Sequence, residues 1–212
     1  MILFVFPLTG CFEFIHEMDV NADGTGHLNF VVNFSRSKSK IEMLLLLDEI
    51  NGHEIPTLDE VDLKLRTFSD SANASKGISN VNHSFDKQSL IIEFSCDFDK
   101  VSRINQRLYE LWKQKEVDNA VYENYYSFKA NHFEQNLSYR VVKLFQQMSP
   151  TDREILIGAD YTSILRFKNE IISQSNSAAK IAPNKKVIIL QAPVLELIHK
   201  PNLFNNSIKI KS

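Results

Sequence analysis

Phe12-Glu-Phe-Ile-His-Glu-Met-Asp-Val20, Asn21-Ala-Asp-Gly-Thr-Gly26 and His27-Leu-Asn-Phe-Val-Val-Asn-Phe34 are consecutive stretches that set the reading of the whole chain. Phe12, Phe14, Met18 and Val20 alternate with Glu13, Glu17 and Asp19, and Leu28, Phe30, Val32 and Phe34 recur at every second position. A period of two places each set on one face of a strand. The Asn/Asp/Gly-rich stretch between them makes the pair a hairpin. His16 falls on the apolar face and is expected to be partly buried and hydrogen-bonded rather than a metal ligand. Asp19, Asn21, Asp23 and Gly24 also reproduce positions 1, 3, 5 and 6 of a calcium loop. Position 12 of that loop, where a bidentate Glu is required, is Phe30, and the flanks are strands rather than helices. A plain Asp-Gly turn is therefore favoured, with calcium the minor alternative.

Downstream, Ser39 with Glu42 is a candidate capping box before Met43-Leu-Leu-Leu-Leu-Asp-Glu-Ile50, which reads as a short, mostly buried helix closed by Gly52 and Pro56. Thr57 with Glu60 is a second box, and Leu58, Val61, Leu65, Phe68 and Ala72 follow at helical spacing until Gly77. A second hairpin runs from Ile78 to Phe85, turns through Asp86-Lys-Gln-Ser89 and returns from Leu90 to Phe98. Cys96 shares the face of Leu90, Ile92, Phe94 and Phe98 and reads as a buried apolar side chain rather than a nucleophile. Val101, Ile104, Leu108 and Leu111 with Trp112 give one more helix stripe. The order ββααββα predicts an α+β fold in which an antiparallel sheet of two hairpins is covered on one face by helices.

The polar segment Lys113 to Asn124 divides the chain, so residues 12–117 form one α+β domain and 118–212 a smaller mixed α+β lobe. In the lobe, Tyr125 to Leu137 alternates around a turn at Asn131-His132, and Ser149-Pro-Thr-Asp-Arg-Glu154 opens a short helix. Strands follow at Tyr161 to Phe167 and Lys186 to Gln191, then a helical turn at Val194 to His199 and a terminal strand around Ile208 and Ile210.

The first ten residues, Met1-Ile-Leu-Phe-Val-Phe-Pro-Leu-Thr-Gly10, are apolar and uncharged and run into Cys11. Leu8-Thr9-Gly10-Cys11 matches the bacterial lipobox, a Leu and two small residues before the cysteine that is diacylated and becomes the new N-terminus. Residues 1–11 are thus read as a lipoprotein signal segment, with Cys11 as the lipidation site. A signal peptide normally starts with Lys or Arg, which this stretch lacks, and a start codon upstream of Met1 is the expected explanation. The alternative makes residues 2–8 an N-terminal strand. No later stretch approaches the roughly 18 to 20 apolar residues that span a bilayer.

The lipobox, the hairpin Val20-Asn-Ala-Asp-Gly-Thr-Gly-His-Leu28, and the strand, Asn-containing loop, strand and short helix from Tyr161 to His199 together resemble small uncharacterised envelope lipoproteins of Bacteroidota. More distantly, they resemble LppM-type bacterial lipoproteins. The resemblance implies a membrane-anchored α+β envelope domain with no established enzymatic chemistry. Phe12-Glu13-Phe14 stands where many such surface lipoproteins carry an acidic run, so attachment facing the periplasm is expected.

Charge and composition narrow the function classes. With 24 basic and 26 acidic side chains the formal charge is -2, which disfavours nucleic acid as a partner. A hydrophobic fraction of 43% excludes wholesale disorder. The histidines at 16, 27, 53, 83, 132 and 199 include no pair at metal-ligand spacing, so no metal, cofactor or catalytic site is expected. Asp48 and Glu49, and Asp59, Glu60 and Asp62, sit near helix ends, where carboxylates serve the dipole. Tyr122, Tyr125, Tyr126, Phe128, Phe133 and Tyr139 either stack a glycan or peptide or fill the second core as strand residues, the latter favoured. Lys180, Lys185, Lys186, Lys200, Lys209 and Lys211, against Glu196 alone, make a basic end that faces solvent or anionic lipid head groups.

The expectation is a non-enzymatic envelope lipoprotein, a binding or assembly module held to the membrane by its lipid, with an envelope protein, glycan or lipid as partner. A periplasmic lipid or amphiphile carrier is the alternative, and a hydrolase without a recognisable motif the weaker one. A carrier needs a continuous apolar cavity on the order of several hundred Å³. An assembly module needs an exposed apolar patch, and an enzyme needs titratable groups converging in a cleft.

Overall fold

The computed structural model of the chain describes residues 12–50, 52–114, 124–136, 148–150, 153, 156–200 and 202–212. Cys11, Tyr122, Tyr139 and most of the helix expected after Ser149 lie outside the described residues.

The first hairpin forms where the alternation placed it. β1 (Glu13–Val20) pairs antiparallel with β2 (Gly26–Asn33), Val20 opposite Gly26. The turn closes through Asn21 N donating to Thr25 O at 2.8 Å and Gly24 N to Asn21 O at 3.0 Å. Gly24 sits at φ +84°, where a Cβ would be strained. A 3-10 turn, Ser35–Ser37, then leads into α1 (Lys38–Leu44).

Here two expectations are corrected. Ser39 is inside α1 and caps nothing; the N-cap is Ser37 without a side-chain hydrogen bond, and Glu42 pairs with Lys38 at 3.6 Å instead. The leucine run is not a buried helix, since Met43 is 66%, Leu46 84% and Leu47 50% exposed. Four consecutive leucines carry no period, so they define an apolar segment without defining anything it packs against. The chain turns instead into the short pair β3 (Glu49–Ile50) and β4 (His53–Glu54).

The second capping box forms as read: Thr57 Oγ1 accepts from Glu60 N at 3.2 Å, and Glu60 Oε2 accepts from Thr57 N at 2.8 Å. It opens α2 (Leu58–Asn73), which packs beside β5 (Ile78–Asp86). β5 pairs with β6 (Ile91–Phe98), and β6 pairs with β2, joining both hairpins in one sheet. α3 (Ser102–Gln114) follows and lies against β7 (Tyr126–Lys129). β7 turns into β8 (His132–Gln135) through Ala130 at φ 50° and Asn131 at φ 61°. The tight turn is therefore Ala130-Asn131, two consecutive left-handed residues as a two-residue hairpin loop needs, and His132 already belongs to the strand.

The remaining strands are β9 (Asp160–Phe167), β10 (Ile171–Gln174), β11 (Lys180–Ile181), β12 (Val187–Pro193) and β13 (Asn206–Ile210). The fold is α+β, but the expected antiparallel sheet of two hairpins is a seven-stranded mixed sheet, ordered β11-β12-β9-β1-β2-β6-β5. β9 runs parallel to β1, with Glu13 opposite Asp160 and Val20 opposite Phe167. Residues on both sides of the division expected at 117/118 thus share one sheet. Alternation tells which face of a strand is apolar but not which distant strand lies beside it. A second, four-stranded antiparallel sheet has the order β10-β13-β8-β7.

Register gives the large sheet one apolar face. Phe14, His16, Met18, Leu28, Phe30, Val32, Phe94, Cys96, Tyr161 and Leu165 align across β1, β2, β6 and β9. Glu17, Asp19, His27, Asp97 and Arg166 point the other way, where Arg166 bonds Glu17 at 2.9 Å and Asp19 at 3.2 Å. Over β9 the apolar face meets the smaller sheet, with the Phe133 and Phe167 rings 5.4 Å apart. Over β6 it meets α2, where Phe68 and Phe94 sit edge-on at 4.7 Å.

Candidate functional site

α2 stands beside the edge strand β5, and α3 stands against β7. The strip of sheet between them, β2 and β6, carries large apolar side chains on its covered face with neither helix seated squarely upon it. A cavity of about 620 Å³ results. The sheet supplies Phe14, His16, Leu28, Phe30, Val32, Ile92, Phe94 and Cys96; α2 supplies Leu65, Phe68 and Ala72; α3 supplies Ile104, Arg107 and Leu108. Tyr125, Tyr126, Tyr161 and Phe204 close it on the side of the smaller sheet. This volume lies within the ordinary range of small-molecule sites, and apolar walls with few polar groups are what such sites have.

Buried hydrogen bonds fix the wall nearest β1. Asn105, 1% exposed, donates through Nδ2 to Tyr126 O at 2.6 Å and accepts from Tyr126 N at 2.9 Å, which pins α3 to β7. The Tyr126 hydroxyl lies 3.1 Å from His16 Nε2, and the two rings stack at 5.6 Å. Gln135 Nε2 donates to Ser163 Oγ at 3.2 Å just beyond. His16 is buried, deeper than the partly buried position expected from its strand face, and burial drives its pKa down to about 4 against the raising influence of Glu17. Its imidazole is neutral at pH 7, with Nδ1 lacking a hydrogen-bond partner among the described residues. Burial likewise pushes the Cys96 thiol up to about 12, as an inert apolar side chain requires. Tyr126 and Tyr161 are raised as well, both by burial first.

The other residues singled out by sequence lie elsewhere. In the first hairpin turn, Asp23 Oδ1 accepts from Thr25 N at 3.0 Å and from Thr25 Oγ1 at 2.7 Å, and Asn21 Nδ2 donates to Thr25 Oγ1. Asp19 is engaged by Arg166. These contacts build the turn and the strand pair, and among the described residues no cluster of three His, Cys, Asp or Glu is placed to hold a metal. His27 pairs with Asp97 at 2.7 Å on the outer face, and His132 Nε2 lies 2.8 Å from Ser207 Oγ. Asp59 and Asp62 meet Lys87 at 2.7 and 3.7 Å, while Glu60 serves the capping box. Of the aromatic cluster, Tyr125, Tyr126 and Phe133 are buried rather than displayed on the outer surface, Phe133 in the core and the two tyrosines in the cavity wall. At the basic end, Lys200 pairs with Glu196 at 2.9 Å and Lys211 with Glu170 at 3.7 Å.

Arg107 is the cavity residue that sequence reasoning passed over. A signal was there: at three residues past Ile104 it falls inside the apolar stripe of α3, where a charge has no packing reason to be.

No protein-family model matches this chain, and no curated protein matches it either. Among solved structures, the chain is similar to the NMR structure of the folded domain of LppM from Mycobacterium tuberculosis. The TM-score is 0.45 and the identity 12%, over 94% of this chain and 89% of that one.

Proposed function

We propose that this protein is a carrier that takes the apolar part of a lipid or other amphiphile into the cavity between the large sheet and its two helices. One observation supports this above the rest: a cleft of about 620 Å³ walled by aliphatic and aromatic side chains. An amphiphile's chain removed from water there gains roughly 25 cal/mol for each Å² of apolar surface buried, on both partners. Binding rather than catalysis is the role we assign, because the cavity's thiol and imidazole are held by burial in their uncharged forms at neutral pH. The Leu8-Thr9-Gly10-Cys11 lipobox supports placing the carrier in the cell envelope, lipidated at Cys11 and facing the periplasm. No helix among the described residues is long and apolar enough to cross a membrane.

Val32→Trp tests the cavity, because the indole would occupy the space beside Phe30 and Phe94. Uptake of the apolar dye phenylnaphthylamine, and its displacement by oleate, should fall at least ten-fold while the circular dichroism spectrum stays unchanged. Equal uptake by both proteins would rule out the cavity as the binding site. Anchoring has its own measurement, the intact mass of membrane-extracted protein beside Cys11→Ala. Acyl mass on a chain beginning at Cys11, lost in the variant, is expected; an unmodified soluble chain would sink the lipoprotein assignment.

The exposed Met43, Leu46 and Leu47 favour a second reading, in which this segment is a contact surface for an envelope partner and the protein an assembly module.

A further inference from the structure

The lining of the cavity carries one fixed charge. Among the described residues it includes Arg107 and no Asp or Glu. The Arg107 side chain is 9% exposed, and its guanidinium is poorly supplied with acceptors. Nη2 donates to the Phe68 carbonyl oxygen at 3.4 Å, the long limit of a hydrogen bond. Nη1 lies 3.6 Å from Glu110 Oε2, a carboxylate on a side chain 37% exposed to water. Nε has no hydrogen-bond partner among the described residues. The guanidinium carbon stands 5.1 Å over the Phe68 ring, a contact that tolerates the charge without neutralising it.

A guanidinium stays protonated at any working pH and offers five N–H donors in a planar fork. Withdrawn from water with long, partial contacts, it is costly unless an anion completes it. A purely structural arginine on this surface would snorkel, with its head in water; Arg107 instead sits in the wall of an apolar chamber. Its surroundings also set a direction. Phe68, beneath the guanidinium, abuts Phe94, and Phe94 is level with Phe30 and His16 across β6, β2 and β1. Two strand spacings, about 10 Å, separate Phe94 from His16 along that row. A headgroup at Arg107 therefore leaves an apolar floor along which a chain can lie.

We infer that the ligand is an anionic amphiphile whose headgroup oxygens, carboxylate or phosphate, pair with the Arg107 fork while its acyl chain lies along the covered face of β6, β2 and β1. The inference rests on the carrier reading above and adds the headgroup chemistry to it.

The test compares four probes of one acyl length on delipidated protein: oleate, oleoyl lysophosphatidic acid, oleyl alcohol and monoolein, titrated by calorimetry at neutral pH. At least one anion should bind ten-fold or more tightly than both neutral probes, and which anion leads identifies the headgroup as carboxylate or phosphate. Arg107→Met should erase that preference, weakening the anions at least ten-fold and leaving the neutral probes unchanged. Arg107→Lys should retain part of it. Equal binding of anions and neutral probes to the unaltered protein overturns the headgroup inference while leaving the carrier intact, and needs no variant. A loss of all four probes in Arg107→Met and Arg107→Lys alike also overturns it, since Arg107 would then only shape the wall. Failure of all four on the unaltered protein removes the carrier reading itself.

Discussion

Over β9 and β12 the covered face of the large sheet meets a second sheet, whereas over β2 and β6 it meets, among the described residues, only the inner flanks of two helices. Phe133, Leu165, Ile188 and Ile208 in the first region are each 2% exposed or less. Every residue of β2 in the second is only partly buried. Two stacked sheets lie about 10 Å apart and interdigitate, so the contact is filled along its length. A helix touches a sheet along a single stripe, and α2 and α3 spend their stripes at the two borders of the region, beside β5 and β7. The same apolar pattern thus ends as solid core in one place and as a chamber in the other. The difference lies in what covers each strand, since the strands themselves are alike.

Phe133→Ala should strike hardest, because the ring is fully buried between the sheets and packs against Phe167 and Tyr126. A loss of about 3 to 5 kcal/mol is expected from deleting such a side chain. Urea unfolding measures it, and a loss near 1 kcal/mol would mean that the sheet-on-sheet region is not close-packed.

Next in size is the response to acid of the wall that separates the two regions. The His16 pKa is depressed to about 4 in the fold from an ordinary 6.5. A base with a lowered pKa binds fewer protons folded than unfolded, so its stabilisation is complete above 6.5 and is lost as pH falls toward 4. About 3 kcal/mol is at stake over that window. The raised Tyr126 and Tyr161 hydroxyls do not titrate there, and Asp86 and Asp97, held down by their hydrogen-bond donors, do so below it. Chemical denaturation at steps from pH 7 to 4 should show the slope, and His16→Phe should flatten it. A slope unchanged by that substitution would mean that His16 is hydrated and sits in an open part of the chamber.

Leu65→Ala probes the helix-covered region directly. Leu65 lines the chamber on α2 and is only half-buried, so its removal enlarges a space that already exists and creates no new void. About 1 kcal/mol is expected, well under the 2 to 5 of a packed leucine. A cost above about 3 kcal/mol would show that the chamber is closed and filled by the protein's own side chains, erasing the contrast with Phe133.

Much of each region was legible one strand or helix at a time. The first hairpin, the Thr57/Glu60 cap, the stripe of α2 and the burial of Cys96 all follow from spacing, because their determinants lie within a few residues of one another. The parallel neighbour of β1 was not legible, since β9 begins more than a hundred residues later and its alternation suits any partner. Nor was the chamber. Leu65, Phe68 and Ala72 on α2 have the spacing of a core stripe whether they touch β6 or face it across a gap, and the gap depends on where β5 and β7 hold the two helices. Met43, Leu46 and Leu47 show the reverse error, apolar residues assigned to a core that leaves them exposed.

The smallest effect concerns the seam between the regions. Arg166 of β9 reaches across the parallel pair to Glu17 at 2.9 Å and Asp19 at 3.2 Å of β1, on the outer face of the sheet. It is the visible tie between distant parts of the chain, yet its side chain and that of Asp19 are 40% and 52% exposed. Water and salt screen such pairs, and ordering long side chains offsets most of the attraction. Arg166→Gln should therefore cost less than about 1 kcal/mol, and the cost should shrink further in molar salt. The seam holds instead because Phe14 with Tyr161 and Met18 with Leu165 bring apolar faces into register beneath it. If Arg166→Gln costs more than about 2 kcal/mol and salt does not reduce it, the parallel pairing depends on the outer charges, and the covered face is not what joins the two regions.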